Sequence, residues 1–121
     1  MNLNGILIGS ENPEALVEYY TRLFGEPGWS DGGYTGWLIG QGYVTVGAHD
    51  QVKGKNPHPG RVLWNIETAD VKSEFDRLVA AGATVVAEPY NPGGEPEGLI
   101  ATLSDPDDNY FQLMSPMGPE S

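Results

Sequence analysis

LIATLSDPDDNYFQLMSP, residues 99–116, is the stretch from which the fold follows. Leu99 to Ser104 and Asn109 to Ser115 are rich in apolar, aromatic and β-branched residues, the composition of strands. Between them, Asp105-Pro106-Asp107-Asp108-Asn109 carries the chemistry of a tight turn. Asp105 can accept backbone N–H groups through its side chain, Pro106 fixes φ at the second turn position, and Asp108 or Asn109 tolerates the left-handed conformation that closes such a loop. The stretch predicts a β-hairpin.

Upstream of the hairpin, Asn91 to Gly98 is a Pro/Gly-rich loop and Thr84 to Tyr90 a further strand. Before that strand, Val71, Phe75, Leu78 and Val79 form an apolar helical stripe that starts at a capping Asp70 and ends at Gly82. The spacing predicts a helix over 70–81, preceded by a strand from Arg61 to Glu67. The first half repeats the pattern. Leu3 to Ile8 reads as a strand, and Asn12 caps a helix over 13–24 with Pro13 at its first position and Glu14 against its dipole. Leu16, Tyr19, Tyr20, Leu23 and Phe24 are its buried stripe, and Gly25 ends it. A Gly-rich stretch from Glu26 to Gly36 with room for one short strand leads to a hairpin, Gly36 to Ile39 with Tyr43 to Ala48, around Gly40-Gln41-Gly42. Setting Asn12 against Asp70 aligns Ile6 with Trp64 and Ile8 with Ile66, so the chain reads as an internal duplication. Gly118 to Ser121 reads as a frayed tail.

These features resemble the vicinal oxygen chelate superfamily, which includes glyoxalase I, extradiol dioxygenases and bleomycin-binding proteins. Its closing turn usually reads Asp-Pro-Asp-Gly-Asn, with a metal-ligating Glu three residues after the Asn. This chain has Asp108 in place of the Gly and Gln112 in place of the Glu. NPEALVEYYTRLFG, residues 12–25, is similar to the family's first-helix signature. The resemblance implies an α+β fold: two tandem βαβββ modules forming a curved eight-stranded mixed sheet around a ligand cleft, with the helices outside. It places module one at about 1–50, a connector at 51–60 and module two at 61–117 of a single domain, 1–121. It also implies a homodimer.

Strand alternation sorts the side chains. Ile6, Ile8, Val44, Val46, Trp64, Ile66, Phe111 and Leu113 are the helix-facing set. Thr45, Leu63, Asn65, Glu67, Tyr110, Gln112 and Met114 are left to line the other face as ligand contacts. Trp29, Tyr34, Trp37, Tyr43 and Tyr90 belong near its rim, with Trp37 or Tyr110 as the partner that stacks on a planar part of a ligand and Glu67, on a central strand and partly buried, as the partner of a cationic part. Metal-dependent relatives place four His or Glu ligands on that face. Carried over, the positions fall near Gly5, Thr45 (or Gly47), Leu63 and Gln112, which lack carboxylate and imidazole donors, so neither metal nor cofactor is expected. His49 and His58 read as loop residues of the connector, with a ligand contact open to His49 at the end of its strand. No nucleophile elbow or phosphate-binding glycine loop is present, and no catalytic residue is assigned.

Composition bounds the rest. Seventeen acidic against six basic residues give a net charge of -11 over 121 residues, which disfavours nucleic acid. The absence of cysteine excludes disulfides and thiolate metal sites, and the N-terminus shows neither leader nor membrane span, so a cytoplasmic protein is expected. The function expected is metal-free binding of a small aromatic or cationic molecule. The alternatives are a metal-dependent lyase, isomerase or dioxygenase of the same superfamily and a dimeric accessory protein with a vestigial pocket.

Overall fold

The computed structural model of the chain describes residues 1–93 and 98–116. Half of the expected 91–98 loop and the whole expected tail at 118–121 lie outside the described residues. The chain divides into two compact units, Met1–Lys55 and a second beginning at Asn56. Each is a βαβββ module of the α+β class, and among the described residues each holds four strands in one mixed sheet.

The first unit runs β1 (Gly5–Ser10), α1 (Pro13–Phe24), β2 (Trp29–Asp31), β3 (Tyr34–Ile39) and β4 (Gly42–Ala48). Its sheet order is β1-β4-β3-β2, with β1 parallel to β4 and the other pairs antiparallel. Pro13 opens α1 as expected, but Asn12 makes no side-chain cap. The buried Ser10 hydroxyl instead accepts the Asn12 N–H at 2.9 Å and fixes the strand-to-helix corner. Leu16, Tyr19, Tyr20 and Leu23 bury the helix stripe against Trp37, Val44 and Val46. The Tyr20 ring meets the Trp37 ring edge-on at 5.9 Å and stacks on Phe24 at 5.6 Å. Each such fully buried side chain contributes roughly 1.5–3 kcal/mol by leaving water.

The β3–β4 hairpin corrects one expectation. Ile39 pairs with Gly42, so the turn has two residues, with Gly40 at a φ of 62°. A turn through Gly40, Gln41 and Gly42 would set Ile39 against Tyr43. Shortening it by one slips the register by one residue and exchanges the faces of β3. Trp37 therefore lies opposite Val44 in the core, not opposite Thr45 at a rim.

The second unit opens with a 3₁₀ turn (Pro59–Arg61), followed by β5 (Trp64–Glu67), α2 (Val71–Ala80), β6 (Thr84–Tyr90), β7 (Ile100–Ser104) and β8 (Tyr110–Met114). The sheet order β5-β8-β7-β6, with β5 parallel to β8, repeats that of the first unit. The turn closed by Arg61 N–H on the His58 carbonyl delays β5, so Leu63 precedes the strand instead of lying within it. Asp70 caps α2 by accepting the Ser73 N–H at 3.1 Å. At the other end Gly82 (φ 112°) and Ala83 donate to the carbonyls of Val79 and Leu78, the paired bonds of a Schellman cap. Val71, Phe75 and Leu78 are buried, whereas Val79 faces solvent. They pack with Ala101, Leu103, Phe111 and Leu113, and the Trp64 and Phe111 rings stack at 4.8 Å.

The closing turn has the chemistry expected of it. Asp105 Oδ1 accepts the N–H groups of Asp107 (2.8 Å) and Asn109 (2.9 Å), and Asp108 takes a φ of 63°. Asn56 docks on this turn, donating from its backbone to the Asp107 carbonyl at 2.8 Å and from its amide to Asn109 Oδ1 at 3.2 Å. Among the described residues, no helix is long and apolar enough to cross a membrane.

Candidate functional site

In each unit one face of the sheet packs under its helix, and the side chains that alternate away from it form the candidate surface. On the second sheet, register aligns them in rows. Asn65, Gln112, Thr102 and Ala87 lie side by side across β5, β8, β7 and β6, and Glu67, Met114, Ile100 and Tyr90 form the next row. Tyr110 lies opposite Ser104. Five of the sequence-derived contacts, Asn65, Glu67, Tyr110, Gln112 and Met114, thus share this face. Leu63 stands half-buried just before β5.

Gln112 Nε2 donates to the Thr102 hydroxyl at 3.1 Å, a cross-strand pair in the middle of the face. Thr102 was not among the expected contacts, although its alternation between the buried Ala101 and Leu103 places it there. Glu67 departs from expectation in one respect. β5 is the end strand of its sheet, and Glu67 is exposed where partial burial on a central strand was expected.

On the first sheet, Leu7, Thr45, Gly36 and Trp29 form one row across β1, β4, β3 and β2, and Gly9, Gly47, Tyr34 and Asp31 the next. Aromatic rings fill the space that the glycines leave. A methyl group on Gly36 would stand 2.5 Å from Trp29 Nε1, and one on Gly47 would stand 2.4 Å from Tyr34 Cδ1. Trp29 therefore rests against Gly36 and Tyr34 against Gly47, each ring leaning one strand across. At the β1 end, the Cβ of His49 and the side chain of Val52 cover Gly9. Trp37 is on the opposite face, 2% exposed, its indole N–H donating to the Gly25 carbonyl at 2.9 Å. It anchors α1 and cannot stack on a ligand without unpacking that core.

The family's metal positions do not fit a metal. A side chain on Gly5 would begin 2.2 Å from the Tyr43 carbonyl oxygen, a clash with backbone. Leu63 has no donor atom, and Thr45 and Gln112 supply only a hydroxyl and an amide, the latter engaged with Thr102. Among the described residues, no three His, Cys, Asp or Glu side chains come together in a group able to hold an ion. His49 Nδ1 accepts the Gln51 N–H at 3.2 Å with Asp50 Oδ1 at 3.8 Å, and the backbone N–H of His58 donates to Asn56 Oδ1 at 2.9 Å. The His49 imidazole and the His58 backbone thus serve local turns. On α2, the hydrogen bond from Arg77 holds the Glu74 carboxyl below its ordinary value, against the opposing effect of partial burial. Such faces of polar and aromatic groups, with Glu67 on one sheet and Asp31 on the other, can bind and orient a small molecule.

Comparison with known proteins agrees with this architecture. Residues 5–114 match the family model of the glyoxalase-like domain. An uncharacterized protein of Mycolicibacterium smegmatis (strain ATCC 700084 / mc(2)155) is 27% identical over 95 residues, which span 78% of this chain and 79% of that protein. A glyoxalase-related enzyme from Fulvimarina pelagi superposes with a TM-score of 0.74 at 19% identity, covering 100% of this chain and 95% of that one. A glyoxalase/bleomycin resistance protein/dioxygenase family enzyme from Burkholderia phytofirmans PsJN gives 0.73 at 20% identity, covering 97% and 100%. At these identities the structural likeness is one of fold.

Proposed function

The chain belongs to the glyoxalase-like domain family of the vicinal oxygen chelate superfamily, and from that premise we propose that it is a metal-free small-molecule binding protein of the glyoxalase/bleomycin-resistance type. On the second sheet Asn65, Glu67, Tyr110, Gln112 and Met114 are the proposed ligand contacts, with Leu63 at the margin; on the first sheet the proposed contact is Thr45. The protein acts as a cytoplasmic homodimer.

One observation carries this reading. Where metal-dependent relatives have a carboxylate, this chain has an amide that donates to Thr102 and so presents a neutral hydrogen-bonding pair. Such a pair discriminates among small polar ligands, because a ligand group that fails to match it leaves buried donors or acceptors unsatisfied. The blocked Gly5 position supports the same reading, since the family's ligand there cannot be restored by a side chain without moving β4.

The test is a thermal-shift screen of chelator-treated protein against aromatic and cationic compounds, repeated with added zinc, manganese, nickel and iron(II). At least one compound should raise the melting temperature in a concentration-dependent way, equally with and without metal. Stabilisation that requires a metal would transfer the protein to the metal-dependent members of the family. Light scattering that finds only monomer at high concentration would remove the dimer.

A further inference from the structure

Thr45 apart, the first sheet presents an apolar surface that the ligand contacts above do not use. Trp29, Tyr34, Leu7 and Leu38 alternate onto its helix-free face and are 40%, 41%, 59% and 55% exposed. Two aromatic rings held half out of water by glycines are not core residues caught at an edge. Gly36 and Gly47 are themselves buried, and the two rings lie over them. A larger residue at either glycine would displace the ring, so the pair is built as a shelf. Its electrostatics are one-sided. β1 to β4 contain no Lys or Arg, and their single charged side chain is Asp31, directly opposite Tyr34 in register and on the same face as both rings.

We propose that Trp29 and Tyr34 form a stacking site for a planar aromatic cation, with Asp31 as its counter-charge. The proposal rests on the small-molecule reading above and names the ligand class of the first sheet. Aromatic faces attract both a planar π-system and a delocalised positive charge, and a carboxylate on the same face favours a cation and repels an anion. A protein of net charge -11 concentrates cations near its surface in the same sense. A second copy of this chain would bring a second Asp31 and the same net negative charge to an apolar contact, and so fits the shelf less well.

The experiment uses three probes of one shape: N-methylacridinium, acridine at a pH where it is neutral, and acridine carboxylate. Binding is read by fluorescence anisotropy of the probe and by quenching of tryptophan emission, to which Trp29 contributes as the tryptophan standing out in solvent. The cation should bind about tenfold or more tighter than the anion. Trp29→Ala and Tyr34→Ala should each weaken it by about fivefold or more, in line with measured single-aromatic stacking contributions. Asp31→Asn should bring the cation and the neutral probe to within about twofold of each other. Gly47→Ala retains every aromatic but pushes Tyr34 off its seat, and should weaken the cation while leaving the melting temperature within a few degrees. Equal binding by wild type, Trp29→Ala and Tyr34→Ala would overturn the proposal. Should those variants bind normally while Glu67→Gln abolishes binding, the shelf fails and the small-molecule reading survives through the second sheet. Loss of self-association in Trp29→Ala and Tyr34→Ala, with none of the probes competing, would make the face a dimer surface and overturn the ligand.

Discussion

Asp105, 2% exposed, holds Asn109 through three groups: its Oδ1 accepts the Asn109 backbone N–H at 2.9 Å, its Oδ2 accepts the Asn109 side-chain amide at 3.1 Å, and its backbone N–H donates to the Asn109 carbonyl at 3.0 Å. This is the clamp of the closing hairpin. Asp105→Ala strands the N–H groups of Asp107 and Asn109 and should cost roughly 1.5–3 kcal/mol, the range for hydrogen bonds to a charged group. Urea denaturation should show a lower midpoint with an unchanged slope. An unchanged midpoint would mean that water replaces the carboxylate without loss.

Gly5 is required by its neighbour. Because a Cβ there meets the Tyr43 carbonyl at 2.2 Å, Gly5→Ala should destabilise the fold by about 1–3 kcal/mol, the usual cost of overpacking. Gly5→His should be worse and should gain no affinity for zinc. A stable Gly5→His variant that binds one zinc per chain would show that β1 and β4 can part to admit a ligand.

Gln112→Glu separates the amide's role from that of a missing metal ligand. The Thr102 hydroxyl can turn and donate to the new carboxylate, so stability should change by less than about 1 kcal/mol. Calorimetric titration with zinc or manganese should remain flat, because Gly5 and Leu63 still lack donors. A single-site isotherm from this one substitution would place the chain one residue from a working metal site.

Acid stability offers a further check. The Glu74 carboxyl is held below its ordinary value of 4.5 by Arg77. A lowered folded value means that the stabilisation is present above the unfolded value and is lost as pH falls through the folded one. Both side chains reach solvent, so the pair contributes no more than about 0.5 kcal/mol. Glu74→Gln should therefore be slightly less stable than wild type at neutral pH and equal to it in strong acid. A gap that widens on acidification would reverse the sign.

Local chemistry made much of the fold legible. The Asp105 turn, the Asp70 cap, Pro13 and Gly82 act within a few residues, and the sequence carries their partners beside them. Alternation sufficed for β8 and β5, where Phe111 and Leu113 set against Trp64 and Ile66 define the buried side and leave Gln112 and Asn65 on the other. It failed for Trp37, because the face of a hairpin strand depends on the length of its turn, and Gly40-Gln41-Gly42 permits two registers. It also overlooked the shelf. That Trp29 rests on Gly36 and Tyr34 on Gly47 depends on which residues come opposite across three strands, which no single strand reveals. Ser10 replaced Asn12 at the helix corner for a similar reason: the group that satisfies the N–H comes from the preceding strand.

Native mass spectrometry of the purified chain, incubated with a panel of aromatic amines, aromatic acids and neutral heterocycles, reports ligand and metal on the same molecule. Metal-free recognition requires ligand adducts whose mass contains no ion, at the same occupancy before and after chelator treatment. Adducts confined to chains that carry one divalent ion, and lost with it, would contradict the assignment.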